Sequence, residues 1–435
     1  MYHFDRKEYE RRMKWFLDAR FGMFVHWGLY AIPARGEWVR CTEEMDKSDY
    51  MRYFYEFDPR FYDSAAWARA AKRAGMQYII LTAKHHDGFC LFDTATTDFK
   101  STNTKLGRDV VRDFVDAARA EGLHVGLYYS LIDWYHEDFP HYGDRQHPMR
   151  NRPDCTNEHR NFDRYLDYMH AQVRELCSNY GKIDIMWFDF SYDDMRGERW
   201  RASELVDMVR TLQPDIILNN RLECSGEGFG SLAEGHPTPY HGDFVSPEKI
   251  IPPRGLFDPD GNPVYWEVCA TMNRNWGYCG TDNYYKSADM LIKKLVECVS
   301  KGGNFLLNIG PDANGAIPPR AAQTLDEIGR FMHFNAQSIY GCTKSDIPKP
   351  EWGRITQNGN MLYLHVYENT LGPLPLYGIP AQHIDSIRLL STGHEIPLSH
   401  SWVHSDYPDM AFADLGPDPT LADETDTVLQ LAWKE

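Results

Sequence analysis

The side chains that could do chemistry in this 435-residue chain are carboxylates, imidazoles and indoles, and many of them stand at the ends of short apolar runs. The run Ile183-Asp184-Ile185-Met186-Trp187-Phe188-Asp189-Phe190 follows Gly181 and is cut short by an acid. It predicts a buried parallel strand that delivers Asp189 at its C-terminal end. A carboxylate there can attack carbon, move a proton, bind a metal or cap the next helix. The run 20–28 ends in His26 and Trp27, and a strand over 77–82 leads into Lys84-His85-His86-Asp87-Gly88. Adjacent residues on an extended strand point to opposite sides, so His85 and His86 are expected to be poorly placed to share one metal. An HxH pair or an HExxH helix would favour a metal-dependent hydrolase built on His26, His85 and His86, and the chain has neither.

No GxSxG elbow is present, and none of the nine cysteines has a neighbourhood that would activate a thiol. Carboxylates, aromatics, His and Arg remain, the palette of a glycosidase. A retaining glycosidase needs two carboxyl groups about 5–5.5 Å apart, one to attack the anomeric carbon and one to protonate the departing oxygen. Asp189 suits the first role. Glu223, Glu227, Glu234, Asp243, Glu248 and Glu267 are candidates for the second, and spacing does not choose among them.

The elements that must position these groups alternate between strand and helix. Asp63 and Ser64 cap a helix that Gly75 stops, and a helix over 110–120 ends at Gly122 before a strand over 123–129. Helices over 161–180 and 199–212 flank the Asp189 strand, and strands over 215–221, 264–269 and 303–310 continue the series. Residues 223–263 are rich in Gly and Pro without a clear period. With no GxGxxG or GxxxxGK[ST] turn, this alternation favours an α/β fold of the (β/α)8-like TIM-barrel class, possibly irregular, with polar residues gathered at the C-terminal ends of the strands. Beyond residue 345 the pattern becomes short strands, among them a hairpin around Asn358-Gly359. The expected organisation is a catalytic barrel over 1–344 and a small antiparallel β-sandwich over 345–435.

A formal charge of -17 disfavours nucleic acid and anionic membrane partners, and no apolar run approaches the roughly 18 residues of a membrane span. Aromatic residues make up 14% of the chain, a supply of flat faces suited to sugar rings. The odd cysteine count without a CxxC pair, together with a charged N-terminus, points to reduced thiols in a cytoplasm.

Several motifs then coincide. Phe21-Gly22-Met23-Phe24-Val25-His26-Trp27-Gly28, Ala83-Lys84-His85-His86-Asp87-Gly88-Phe89, Trp187-Phe188-Asp189, Trp266-Glu267, Trp276-Gly277-Tyr278 and Asn304-Phe305-Leu306-Leu307-Asn308-Ile309-Gly310-Pro311 occur in that order. Together they resemble glycoside hydrolase family 29, the α-L-fucosidases. The resemblance implies a retaining exo-enzyme that removes terminal α-L-fucose from oligosaccharides or glycoconjugates through a covalent fucosyl-Asp189 intermediate, with no cofactor or metal. It implies a sugar pocket lined by His26, Glu37, Trp38, His85, His86, Tyr129, Trp187 and Arg221, with Trp276 facing the sugar. Asp243-Phe244-Val245-Ser246-Pro247-Glu248 resembles the segment that carries the acid/base, pointing to Glu248, with Glu267 and Glu234 as alternatives. A catalytically inactive carbohydrate-binding barrel is the reading from a different class.

Overall fold

The computed structural model describes residues 4–141, 143–400, 406–416 and 421–434, so the first three residues of the charged N-terminus lie outside the described part. One parallel sheet organises the larger part of the chain. Its strands are β1 (Phe21–Val25), β2 (Tyr78–Lys84), β3 (His124–Ser130), β4 (Ile185–Asp189), β5 (Ile217–Leu218), β6 (Glu267–Thr271) and β7 (Asn304–Ile309). Their spatial order is β5-β4-β3-β2-β1-β7-β6. The gap between β5 and β6 is filled by residues 244–248, through parallel bridges from Asn219 to Phe244, Val245 to Trp266 and Glu248 to Cys269. This segment is an eighth stave, and it closes the ring. The seemingly patternless stretch 223–263 therefore contains a barrel strand too irregular to show a period.

The expected barrel class holds, in irregular form. Among the described residues, the connections from β5 to the eighth stave and from that stave to β6 carry no α-helix. The second of them contains only the two-residue pairing of Leu256–Phe257 with Pro263–Val264. What was expected as one strand over 264–269 is thus split between that small hairpin and β6.

Every residue of β1 and β2 is buried, as befits strands covered on both faces. Helix Ser64–Arg73 begins at Asp63, whose carboxylate accepts from the Ala65 amide, and Gly75 at φ 82° turns the chain out of it. Helix Val110–Ala120 repeats the arrangement with Asp109 and with Gly122 at φ 69°. Gly22 has a different reason to be glycine. A Cβ there would lie 2.2 Å from the Tyr78 ring, so the missing side chain lets Tyr78 cross the barrel interior.

The C-terminal part forms a five-stranded antiparallel sheet of Thr343–Lys344, Gly353–Asn358, Met361–Val366, Thr427–Trp433 and Ile384–Leu389, in that spatial order. A two-stranded sheet of Leu374–Leu376 and Ala411–Ala413 packs with it over a separate core that includes Trp352, Leu364, Leu376 and Leu429. The sheet begins at Thr343, two residues inside the stretch expected to be barrel. Asn358 pairs with Met361, so the two turn residues of the hairpin are Gly359 and Asn360 rather than Asn358 and Gly359. The two parts are joined by Thr356 Oγ1 donating to the Ser338 carbonyl at 2.7 Å and by an Arg354–Glu297 ion pair at 3.1 Å.

Candidate active site

Asp189 ends β4 at the C-terminal rim of the barrel, the face on which such barrels carry their sites. Tyr128 Oη donates to its Oδ2 at 2.8 Å, and Arg221 Nη1 donates to its Oδ1 at 2.8 Å. Arg221 lies on the short turn Asn220–Leu222 just past β5. Its Nε bonds Ser246 Oγ and its Nη2 bonds the Ser246 carbonyl, each at 3.0 Å, so the guanidinium is fixed before it meets the acid. Burial pushes the Asp189 carboxyl up to about 6, and the negative charge of Glu248 adds to that push. Arg221, Tyr128 and the Phe190 amide act in the opposite direction. Phe190 occupies the left-handed region at φ 85°, which costs on the order of 1–3 kcal/mol and recurs at functional sites. Its ring packs edge-on against His86 and beside Trp38.

Glu248 reaches the same guanidinium from the eighth stave. Arg12 and Arg210 hold the Asp243 carboxylate at 3.0 and 2.9 Å, anchoring the start of that stave against β5. Gly242 passes so close to Asn220 that a Cβ would meet its backbone at 2.5 Å. At the other end Trp276 Nε1 donates to Glu248 Oε1 at 3.2 Å, and Arg221 Nη2 lies 3.8 Å from Oε2. The two carboxyl groups thus share one cation but differ in access. The Asp189 side chain is 14% exposed and that of Glu248 40%, so Asp189 sits at the floor and Glu248 at the mouth.

Between them lies a pocket of about 130 Å³, lined by Phe24, His26, Trp38, His85, His86, Tyr128, Trp187, Asp189, Phe190, Glu248, Cys269 and Trp276. It is well below the roughly 300–1,000 Å³ of drug-sized sites. Burial, the dominant cause for all three imidazoles, holds them neutral: His26 falls to about 3, and His85 and His86 fall well below their usual value. Hydrogen bonds fix which nitrogen carries the proton in two of them. Asn308 donates its amide to the Trp276 carbonyl, so it presents Oδ1 to His26 Nδ1 at 2.7 Å, and that nitrogen must donate. Ser130 donates to the Ile132 carbonyl, so its Oγ accepts from His86 Nδ1 at 2.7 Å. In both rings Nε2 remains as an acceptor for a hydroxyl. Among the described residues, the buried His85 Nδ1 has no partner.

Some sequence expectations need correction. His85 and His86 do not diverge. The chain leaves the strand after Lys84 and turns, with Gly88 N–H on the His85 carbonyl, and both rings line the pocket with centroids 4.0 Å apart. Tyr129 is not in the pocket. Its hydroxyl bonds Gln172 of the helix outside the barrel, while the inward tyrosine is its neighbour Tyr128, paired in register with Trp187. Glu37 lies behind the wall, accepting from the Gly277 amide at 2.8 Å. Glu267 lies beneath Trp187, whose Nε1 is 3.4 Å from Oε1, and its other oxygen bonds the Tyr78 hydroxyl. It is fully buried, which pushes its carboxyl up to about 8, and it does not reach the pocket. Arg221 bears on Asp189 from behind rather than lining the cavity. Among the remaining acids, Glu223 ties together Ser231 and Thr238, Asp243 is the anchor described above, and Glu227 and Glu234 are exposed.

His26, Trp38, His85, His86, Trp187, Asp189, Glu248 and Trp276 do converge. The residues that sequence reasoning passed over are Phe24, Tyr128, Phe190, Cys269 and Asn308. Phe24 lies on β1 two places before His26, which follows the strand directly, so period-two spacing could have found it. Among the described residues, no group of three His, Cys, Asp or Glu side chains is arranged to hold a metal ion.

The chain matches the α-L-fucosidase family model over residues 2–337. It is 28% identical over 392 residues to the α-L-fucosidase of Dictyostelium discoideum, covering 81% of this chain and 77% of that one. It is 28% identical over 421 residues to the human plasma α-L-fucosidase, covering 89% and 83%. Among solved structures, α-L-fucosidase isoenzyme 1 from Paenibacillus thiaminolyticus superposes with a TM-score of 0.95 at 51% identity, covering 98% of this chain and all of that one. A family 29 α-L-fucosidase from Bacteroides thetaiotaomicron superposes at 0.82 with 26% identity, covering 97% and 95%. With a family match over most of its length and a barrel that brings two carboxylates and three neutral imidazoles around one small pocket, the chain belongs to the α-L-fucosidases of glycoside hydrolase family 29.

Proposed function

We propose that the protein is a retaining exo-α-L-fucosidase in which Asp189 is the nucleophile and Glu248 the acid/base. The observation that carries this reading is the shared cation: Arg221 touches Asp189 and approaches Glu248, with a pocket of small volume between them. A pocket with the nucleophile at its floor suits the removal of one terminal sugar. The Asp189 carboxylate attacks the anomeric carbon while Glu248 gives its proton to the departing glycosidic oxygen, leaving a fucosyl ester on Asp189. Glu248, now ionised at the mouth, takes a proton from water as that water attacks the same carbon, and Asp189 is released. The acceptor nitrogens of His26 and His86 and the unpartnered His85 Nδ1 suit sugar hydroxyls. Phe24, Trp187 and Trp276 offer apolar surface for the ring and its methyl group.

Two relatives support the assignment. One bacterial family 29 enzyme was trapped as a covalent intermediate with 2-fluoro-fucosyl fluoride using a Glu-to-Gln mutant. A Thermotoga maritima enzyme bearing an Asp-to-Gly change is described as a fucosynthase. A metal-dependent reading has less support, because the Nδ1 atoms of His26 and His86 are already committed to Asn308 and Ser130. An intracellular location is part of the proposal, motivated by nine unpaired cysteines, and fractionation of the native host tests it.

The deciding experiment follows an aryl α-L-fucoside by NMR and reads the anomer released first. The expected result is α-L-fucose that mutarotates afterwards. First release of the β-anomer, or turnover of other glycosides but not of this one, would overturn the proposal. Asp189→Ala should abolish turnover. Glu248→Ala should slow substrates with poor leaving groups far more than activated ones and be partly rescued by azide; equal losses on both would remove Glu248 from the role.

A further inference from the structure

The pocket has room for little more than one ring, so a sugar that leaves must be held outside it, on the Glu248 side. Lys249 follows Glu248 with a left-handed backbone at φ 57°, and its amide bonds the Cys269 carbonyl at 3.0 Å. Its ammonium lies 5.1 Å from the centre of the Trp276 ring, and its charge acts on His26 and Glu37. The same ammonium is 3.5 Å from the Arg274 carbonyl. The Arg274 guanidinium in turn sits 3.7 Å over the ring of Tyr284, which is 65% exposed.

This rim is braced. The buried Asp282 carboxylate accepts from the Arg274 amide at 2.8 Å, from Asn275 Nδ2 at 2.7 Å and from the Tyr284 amide at 3.2 Å. Among the described residues neither cationic head bonds a carboxylate, so both keep donors free. Lys and Arg only donate, and their bonds are strongest to anionic oxygen. An aromatic ring beside them offers a face or edge to a pyranose.

We infer that Lys249, Arg274 and Tyr284 form the leaving-sugar subsite, and that it takes a pyranose bearing an acidic group, a carboxylate or a sulfate ester. The inference rests on the fucosidase reading and adds the class of leaving group to it.

The test compares α-L-fucosyl fluoride, which has no leaving sugar, with a fucosylated oligosaccharide in neutral, sialylated and sulfated forms. Wild type should show a lower KM for an acidic form than for the neutral one, with the advantage lost at high salt. Arg274→Ala and Tyr284→Ala should each raise KM for that acidic oligosaccharide about tenfold. Tyr284→Phe should restore it, and kcat/KM on the fluoride should stay within about twofold, well short of the tenfold effect. Equal losses on fluoride and oligosaccharide would show a merely structural role. An unchanged oligosaccharide KM, or no preference for either acidic form, would also overturn the subsite. A wild type inert on the fluoride would overturn the fucosidase reading, and the subsite with it.

Discussion

Replacing Arg221 with Met tests the electrostatics on which the proposed nucleophile depends. The Asp189 carboxyl stands at about 6 even with Arg221 2.8 Å away, because burial outweighs the cation. Two charges centred about 4 Å apart interact by roughly 4 kcal/mol at an effective dielectric constant of about 20. At 1.36 kcal/mol per pKa unit that is about three units, and water entering the vacated space reduces it to roughly two. Removing a cation disfavours the ionised acid, so the Asp189 pKa must rise. The acid limb of kcat/KM, which reports the free enzyme, should move from near pH 6 to roughly pH 8. At pH 6.5 this alone costs about 25-fold in activity, with a smaller deficit at pH 9. The assay is kcat/KM on an activated aryl fucoside across that range, with thermal unfolding to confirm that the variant stays folded without the two Arg221–Ser246 bonds. Arg221→Lys keeps a charge without the fork and should fall between the two. An acid limb that stays within half a unit of wild type in Arg221→Met would refute the reasoning and leave the limb to another group.

Tyr128→Phe removes a hydrogen bond to a buried carboxylate, worth about 1.5–3 kcal/mol, and should lower kcat/KM by about 10–100-fold. Tyr129→Phe should leave activity intact and lower stability by about 1–3 kcal/mol through the stranded Gln172, as read by denaturant unfolding. Glu267, pushed up to about 8, stays protonated in the folded protein but ionises in the unfolded chain near its usual 4.5. Its raised pKa therefore favours folding fully below pH 4.5, and that contribution is lost as pH rises through about 8. Glu267→Gln, neutral at every pH, should match wild type near pH 4.5, unfold at higher temperature than wild type near pH 9, and retain activity. A selective loss on poor leaving groups would instead make Glu267 the acid/base.

Much of this protein was legible before any coordinates. The alternation of caps, glycine stops and apolar runs marked the barrel, and Asp189 stands at the strand end where its apolar run breaks off. Hydrophobic burial is read along the chain, and so strand ends with their polar tips were visible as motifs. The tertiary structure decided what lies across the chain. Period-two spacing says that Tyr128 and Tyr129 face opposite ways, but only register with Trp187 says which faces in. The stave at 244–248 has no period because anchors at its ends hold it: Asp243 between two arginines, Glu248 against Trp276 and Arg221. Glu248 and Glu267 were alike as sequence, since a carboxylate's role depends on what surrounds it in space. One reaches the mouth beside the Arg221 guanidinium that also holds Asp189, and the other is sealed beneath Trp187 with a proton it keeps at neutral pH.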